Sequence, residues 1–172
     1  FFLSERRSVL EFIAEDNTRE ALESSGRLED ILENLQGSVG GFIDIGIVNS
    51  SGQMLAYAGP YVLENADCVN SPCYEEAVET GSHVSDASIG VKGERRLVVA
   101  VRRNLENDDF FVLRSALERE LLYDAVSRAK TAAGDDAFII DHEGYLQTPS
   151  RYFGDLYEKV PFQVPPEGEG TR

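Results

Sequence analysis

Residues 41–61 read "GFIDIGIVNSSGQMLAYAGPY", and the reading of this stretch decides the fold. Ile43, Ile45 and Ile47 alternate with Asp44 and Gly46, the period of a strand. "NSSG" at 49–52 is turn chemistry, with Gly52 free to take the positive-φ position of a short hairpin loop. Pro60 ends the returning strand because it cannot donate to a ladder. With Asn49 opposite Gln53, a regular hairpin puts Leu55 and Tyr57 on the isoleucine face. Ninety-two residues on, from Gly52 to Gly144, the same turn stands in "DAFIIDHEGYLQTPSRYF" (136–153). Laying "IVNSSGQMLA" (47–56) on "IIDHEGYLQT" (139–148) matches an apolar pair, the Asn/Asp, the Gly and a Leu. This is either a repeated unit or two turns that each want Asn, Asp and Gly.

Working outward, residues 1–36 have helical periodicity. Phe2, Val9, Leu10 and Ile13 recur at helical spacing, and Leu28, Ile31, Leu32 and Leu35 form an i, i+3, i+4, i+7 stripe. Asn17 with Glu20 has the form of a capping box that restarts the helix. After the hairpin, Ser71 is placed as N-cap, Pro72 as first helical residue and Gly81 as stop of a short helix. Segments 83–90, 95–103 and 109–117 then read as strands, and 118–130 as a helix. Parity puts Leu97, Val99 and Val101 with Phe111, Leu113 and Leu117 on one apolar face. With even residues paired opposite even ones, Val98, Ala100, Arg102, Val112 and Arg114 take the other, so two arginines project from one side. Five antiparallel strands with helices set to one side make an α+β fold, and the order β-β-α-β-β-β suits a PAS-like sheet. The tail "VPPEGEGTR" has the composition of a linker.

Composition is that of a globular domain, with 42% hydrophobic and 27% charged residues in 172. The net charge of -15 argues against nucleic-acid and anionic-membrane partners, which need a basic patch. No run of 18 apolar residues is present to span a bilayer. Cys68 and Cys73, with four residues between them, can pair as a disulfide or stay free thiols. Even with His83 they leave a zinc tetrahedron one ligand short, and His142 is far off in a turn, so neither a metal nor a cofactor is expected. "GSVGG" (37–41) precedes a strand rather than a helix, the wrong setting for phosphate binding, and no nucleophile-base set stands out, so the domain is not read as an enzyme.

Five stretches in order resemble one family: "GFIDIGIVNSSGQMLAYAGPY", "CYEEAVETGSHVSDASIG", "RRLVVAVRR", "FFVLRSALE" and "GDDAFIIDHEGYLQTPSRYFG". They resemble the extracytoplasmic Cache (PDC) sensor domains of bacterial membrane-bound histidine kinases, over roughly residues 1–160. The resemblance implies a long N-terminal helix (1–36) rising from a membrane span, a PAS-like sensor unit (37–130), and in 131–172 the start of a second unit with a linker. It implies a periplasmic, membrane-tethered domain that binds a small molecule and relays the signal through the N-terminal helix. The apolar stripe of residues 1–36 is broad enough for both the sheet and a partner, so a homodimer through that helix is expected. An extracytoplasmic location favours the Cys68–Cys73 disulfide. The chain departs from amino-acid-binding members: Cys73 stands where they carry Trp, and the strand "LRSALE" lacks their Asp. No ligand class is therefore carried over.

Each candidate site residue has two readings. Arg102 and Arg114 could clamp a carboxylate, or be ordinary surface charge. Tyr57, Tyr61 and Tyr74, with Cys73, could wall a small-ligand pocket, or simply pack. Ser85 and Asp86 could receive an amine, or close a local turn or edge-strand bond. The function expected is ligand sensing; the alternative is a ligand-free dimerisation module of a receptor such as a chemoreceptor or diguanylate cyclase.

Overall fold

The N-terminal segment forms three helices in place of one: α1 (Phe2–Asp16), α2 (Arg19–Glu23) and α3 (Arg27–Ser38). This computed structural model describes residues 2–63, 66–85, 88–89, 95–129, 134–141 and 143–164. The expected cap is displaced by one residue. Thr18, not Asn17, is the N-cap of α2, its Oγ1 accepting from the Ala21 N–H at 3.2 Å. Asn17 instead donates back to the Ile13 carbonyl (2.9 Å) in the last turn of α1. The stripe Leu28, Ile31, Leu32 and Leu35 is buried on α3, as its spacing requires.

Among the described residues six strands follow: β1 (Ile45–Asn49), β2 (Met54–Ala58), β3 (Ser82–Val84), β4 (Ser88–Ile89), β5 (Arg95–Asn104) and β6 (Phe110–Leu117). Five lie in the antiparallel order β2-β1-β6-β5-β3, and β4 pairs further along β5. The helix α4 (Pro72–Thr80) joins β2 to β3, with Pro72 in its first turn and Gly81 as a left-handed C-cap (φ 92°). The β5/β6 register sets Ala100 opposite Arg114 and Arg102 opposite Val112, so even numbers face even ones. The fold is thus the expected α+β arrangement of N-terminal helix, antiparallel sheet and short helices.

Both faces of the sheet are covered. On one, Val48, Met54, Tyr57, Val98, Ala100, Val112 and Ala116 pack with Cys73, Tyr74 and Ala77 of α4 and with Leu63 and Cys68. The other carries Ile45, Ile47, Val99, Val101, Phe111 and Leu113, all buried, and faces α1–α3. There Glu11, Ala14 and Glu15 of α1 border a cleft of about 120 Å³ with Val101 and Arg103.

The chain divides into two compact units, Phe1–Glu118 and Arg119–Arg172. The second holds α5 (Glu120–Ala129) and the repeated hairpin, whose Ile140 and Leu146 form a bridge. Its apolar contacts include Phe138, Phe153 and Phe162, with Phe153 edge-on to Phe138 (5.3 Å) and to Phe162 (5.2 Å).

Candidate ligand-binding site

The expected isoleucine-face placement of Tyr57 does not hold. Ile47 stands opposite Ala56, but Val48 stands opposite Met54, so the register shifts there and Leu55 is the extra residue of a bulge. A one-residue shift turns a side chain to the other face. Tyr57 therefore faces α4, opposite Gly46. Gly46 in turn stands opposite Arg114 on its other side, so Tyr57, Gly46 and Arg114 form one row across three strands. A Cβ on Gly46 would lie 2.7 Å from Met54 Sδ and 3.4 Å from the Tyr57 ring, so glycine makes room for both.

Asp44 lies two residues before Gly46, on the same face. It is 2% exposed. Its Oδ1 accepts from the Ala116 N–H (2.6 Å), and its Oδ2 accepts from the Tyr57 hydroxyl (3.1 Å) and from Arg114 Nη1 (3.0 Å). Its carbonyl accepts from the Ser115 hydroxyl. A charge removed from water needs this kind of complete pairing. In the sequence alone, Asp44 stands only as the polar half of a strand alternation. The β1/β6 pairing puts it on the face that carries Val98, Ala100 and Val112. A carboxylate on such a face requires a cation, and Arg114 is on it.

The other candidates take distinct places. Arg102 Nη1 donates to the Val78 carbonyl (2.6 Å), its guanidinium lies 4.3 Å from the Phe110 ring centre, and its Nε is buried without a partner among the described residues. Arg102 and Arg114 thus each hold a separate protein partner instead of forming one clamp. Tyr74 is buried and donates to the Asn49 carbonyl (2.9 Å), fastening α4 to the first hairpin. Tyr61 is half-buried against the same cluster. Ser85 is buried, its hydroxyl accepting from the Val98 N–H (2.9 Å), which makes it an edge-strand bond. Asp86 and His142 lie outside the described residues. Cys68 and Cys73 are buried free thiols rather than the expected disulfide. Burial pushes the Cys73 thiol up to about 12, against the opposing pull of Arg114, and raises Cys68 in the same way. Neither is a ready nucleophile. Burial, and then the Asp44 charge, raises Tyr57, so its hydroxyl stays a donor.

No protein-family model matches this sequence, and no curated protein does. Solved structures do match. The extracellular domain of a protein assigned as the histidine kinase rpHK1S-Z16 aligns with TM-score 0.64 at 14% identity, over 92% of this chain and 67% of that one. An extracellular ligand-binding receptor from Desulfohalobium retbaense gives the same TM-score, 0.64, at 14% identity, over 92% of this chain and 32% of the receptor. The ligand-binding domain of the Pseudomonas fluorescens chemoreceptor CtaA, solved with L-serine, gives 0.61 at 16% identity, over 84% of this chain and 63% of that domain. The chain shares the fold of these domains. The chain spans two thirds of the first of these structures and less of the others. Among the described residues, no helix is long and apolar enough to cross a membrane.

Proposed function

We propose that this chain is the extracytoplasmic sensor domain of a membrane receptor, a histidine kinase or a chemoreceptor, and that it binds a small molecule on the α4 face of the sheet. One observation carries the reading. On a sensor-type fold, a buried ionic cluster (Asp44, Arg114, Tyr57) sits beneath a roof of Cys68, Cys73 and Tyr74 on that face. A buried ion pair is an expensive way to fill a core, and apolar residues of like volume often serve stability as well or better. The signal would leave through α1. Phe42, two residues before Asp44, is fully buried with the Arg6 guanidinium 5.8 Å from its ring centre. Arg6 also donates to the Val39 carbonyl (3.0 Å). A shift of the Asp44 segment would thus be felt at α1. The repeated hairpin supports reading residues 131–172 as the opening of a second unit of the same kind.

The test is a thermal-shift and calorimetric screen with amino acids, amines, polyols and organic acids. A ligand that binds the native state raises the Tm by mass action, by ~2.7 kcal/mol of stability at a hundred times its Kd. The expected result is a saturable shift abolished by Arg114→Gln or Tyr74→Ala. A second reading, an interaction module that dimerises through the N-terminal helices, is favoured by Phe12, which is 67% exposed on α1. Sedimentation of Phe12→Lys separates the two: a dimer lost with ligand binding intact leaves the sensor reading in place.

A further inference from the structure

Arg114 is the residue on the α4 face best suited to grip an anion, yet the chain has already given it one. The Asp44 carboxylate occupies Nη1 at 3.0 Å. Asp44 itself cannot reach a ligand: it is 2% exposed, and its oxygens are taken by Ala116, Tyr57 and Arg114. The space beside it is closed too. A Cβ on Gly59 would fall 2.5 Å from Asp44 Cβ and 2.6 Å from the Tyr57 hydroxyl. The carboxylate is therefore a fixture of the wall, and its effect on a ligand is through charge. An anion arriving at Arg114 would meet a neutral pair, and would leave an uncompensated negative charge beside the packed cluster of Tyr57, Cys68, Cys73 and Val98. A molecule without net charge meets no such cost. Arg102 does not restore the balance at that place, since it is committed to the Val78 carbonyl and the Phe110 ring.

We propose that Asp44 is a built-in counter-carboxylate that closes Arg114 to free anions, so that the site selects an uncharged or zwitterionic small molecule over a singly charged carboxylate. Asp44 is then a specificity-determining residue that touches Arg114 and Tyr57 instead of the ligand. The inference rests on the α4 face being the ligand site.

The experiment compares acetate binding to the wild-type chain and to Asp44→Asn at fixed ionic strength, by calorimetry and thermal shift. Acetate is expected to leave the wild type unmoved and to bind Asp44→Asn at least tenfold more tightly. A folded Asp44→Asn that gains no acetate binding overturns the inference. So does a wild type that binds acetate as well as the variant, including one whose binding is lost in Arg102→Gln. Should Asp44→Asn be too unstable, Asp44→Ser is titrated with formate and with the isosteric neutral formamide. Restoration of its Tm by formate alone supports the inference; no preference for formate overturns it. The sensor reading is judged separately, by the neutral and zwitterionic compounds on the wild type. A panel that finds no ligand sinks the sensor reading without touching the acetate result, and a bound neutral ligand with an acetate-blind Asp44→Asn does the reverse.

Discussion

The turn at Asn49–Gln53 and the turn at Asp141–Tyr145 can be laid over one another bond for bond. In the first, Asn49 Oδ1 accepts from the N–H groups of Ser51 (3.0 Å) and Gln53 (2.9 Å). In the second, Asp141 Oδ1 accepts from Glu143 (3.0 Å) and Tyr145 (2.8 Å). The backbone N–H of Asn49 donates to Gln53 and that of Asp141 to Tyr145, both at 3.0 Å. The glycines match as well, with φ 82° at Gly52 and 86° at Gly144. The surroundings do not match. The first turn is overlaid by the chain that leads into α4: Cys68 N–H donates to the Gly52 carbonyl (2.7 Å), and Tyr74 fastens to the Asn49 carbonyl. The second is backed by Val160, whose N–H donates to the Gly144 carbonyl (2.9 Å), and by the side chain of Val164. Local chemistry makes the turn in both cases. What is laid upon it sets the two turns apart.

The largest break in the comparison comes from a residue with no described counterpart in the second unit. Arg114→Gln leaves Asp44 buried and without its cation, which costs about 3–5 kcal/mol. Hydrogen exchange should speed up throughout residues 1–118, with the protection of the second hairpin unchanged. Equal acceleration in both would mean that the two units unfold as one. Next in size is a matched pair of glycine substitutions. Both Gly52→Ala and Gly144→Ala force an L-residue into the left-handed region, at about 1–2 kcal/mol. Gly52→Ala adds a clash with backbone, its Cβ falling 2.8 Å from Val69 Cα and 2.9 Å from Val69 N. Gly144→Ala meets the Val164 and Val160 methyls, at 3.1 and 3.4 Å. Gly52→Ala should therefore lower the Tm at least twice as far. Equal losses would show that the first turn is no more tightly covered than the second.

These pairs also mark how far the sequence could be read. The turns were legible because they are made by residues within five positions of one another. So were the α3 stripe and the ends of α4, where Pro72 and Gly81 act locally. The two faces of β5 and β6 were legible on the condition that even residues pair with even ones, which is the register found. The bulge at Leu55 was not legible, because it depends on Met54 and Tyr57 both finding room over Gly46. Asp44 was missed for a related reason: its partner Arg114 is 70 residues away, and only the β1/β6 pairing brings them together. Thr18 displaced Asn17 as cap because either residue type can do that task, and the sequence offers both.

A smaller effect follows from the thiols and separates the site from the rest of the chain by pH. The Cys73 thiol is raised from an ordinary value of 9.0 to about 12, chiefly by burial. A group whose folded pKa is raised holds its proton more firmly in the native state. Its contribution is thus fully present below pH 9 and declines as the pH rises toward 12. The buried hydroxyls of Tyr57 and Tyr74 are raised also and act in the same direction. The Tm should fall steadily over that range, and Cys73→Ala should flatten the fall. A slope unchanged by Cys73→Ala would assign the loss to Cys68 and the tyrosines, which burial also raises.

The finest difference lies in the turn residues themselves. Asn49→Ala deletes two hydrogen bonds at an exposed turn, worth about 1 kcal/mol together once water replaces them. Asp141→Ala deletes the same two and a third, because Asp141 Oδ2 accepts from Gln147 Nε2 at 3.0 Å. Gln147 is buried, and its Oε1 already lacks a partner among the described residues. Removing Asp141 would leave Nε2 with the Tyr145 carbonyl alone, at 3.2 Å. An unmet buried group costs about 1–3 kcal/mol, more than an exposed bond returns. Asp141→Ala should therefore destabilise its unit by about twice as much as Asn49→Ala does the first, read from local hydrogen exchange on each hairpin. Here the order of the glycine pair reverses: the first turn is the more sensitive at its glycine, the second at its carboxylate. Equal losses at Asn49 and Asp141 would mean that Gln147 finds water once the carboxylate is gone, leaving the glycines alone to tell the two turns apart.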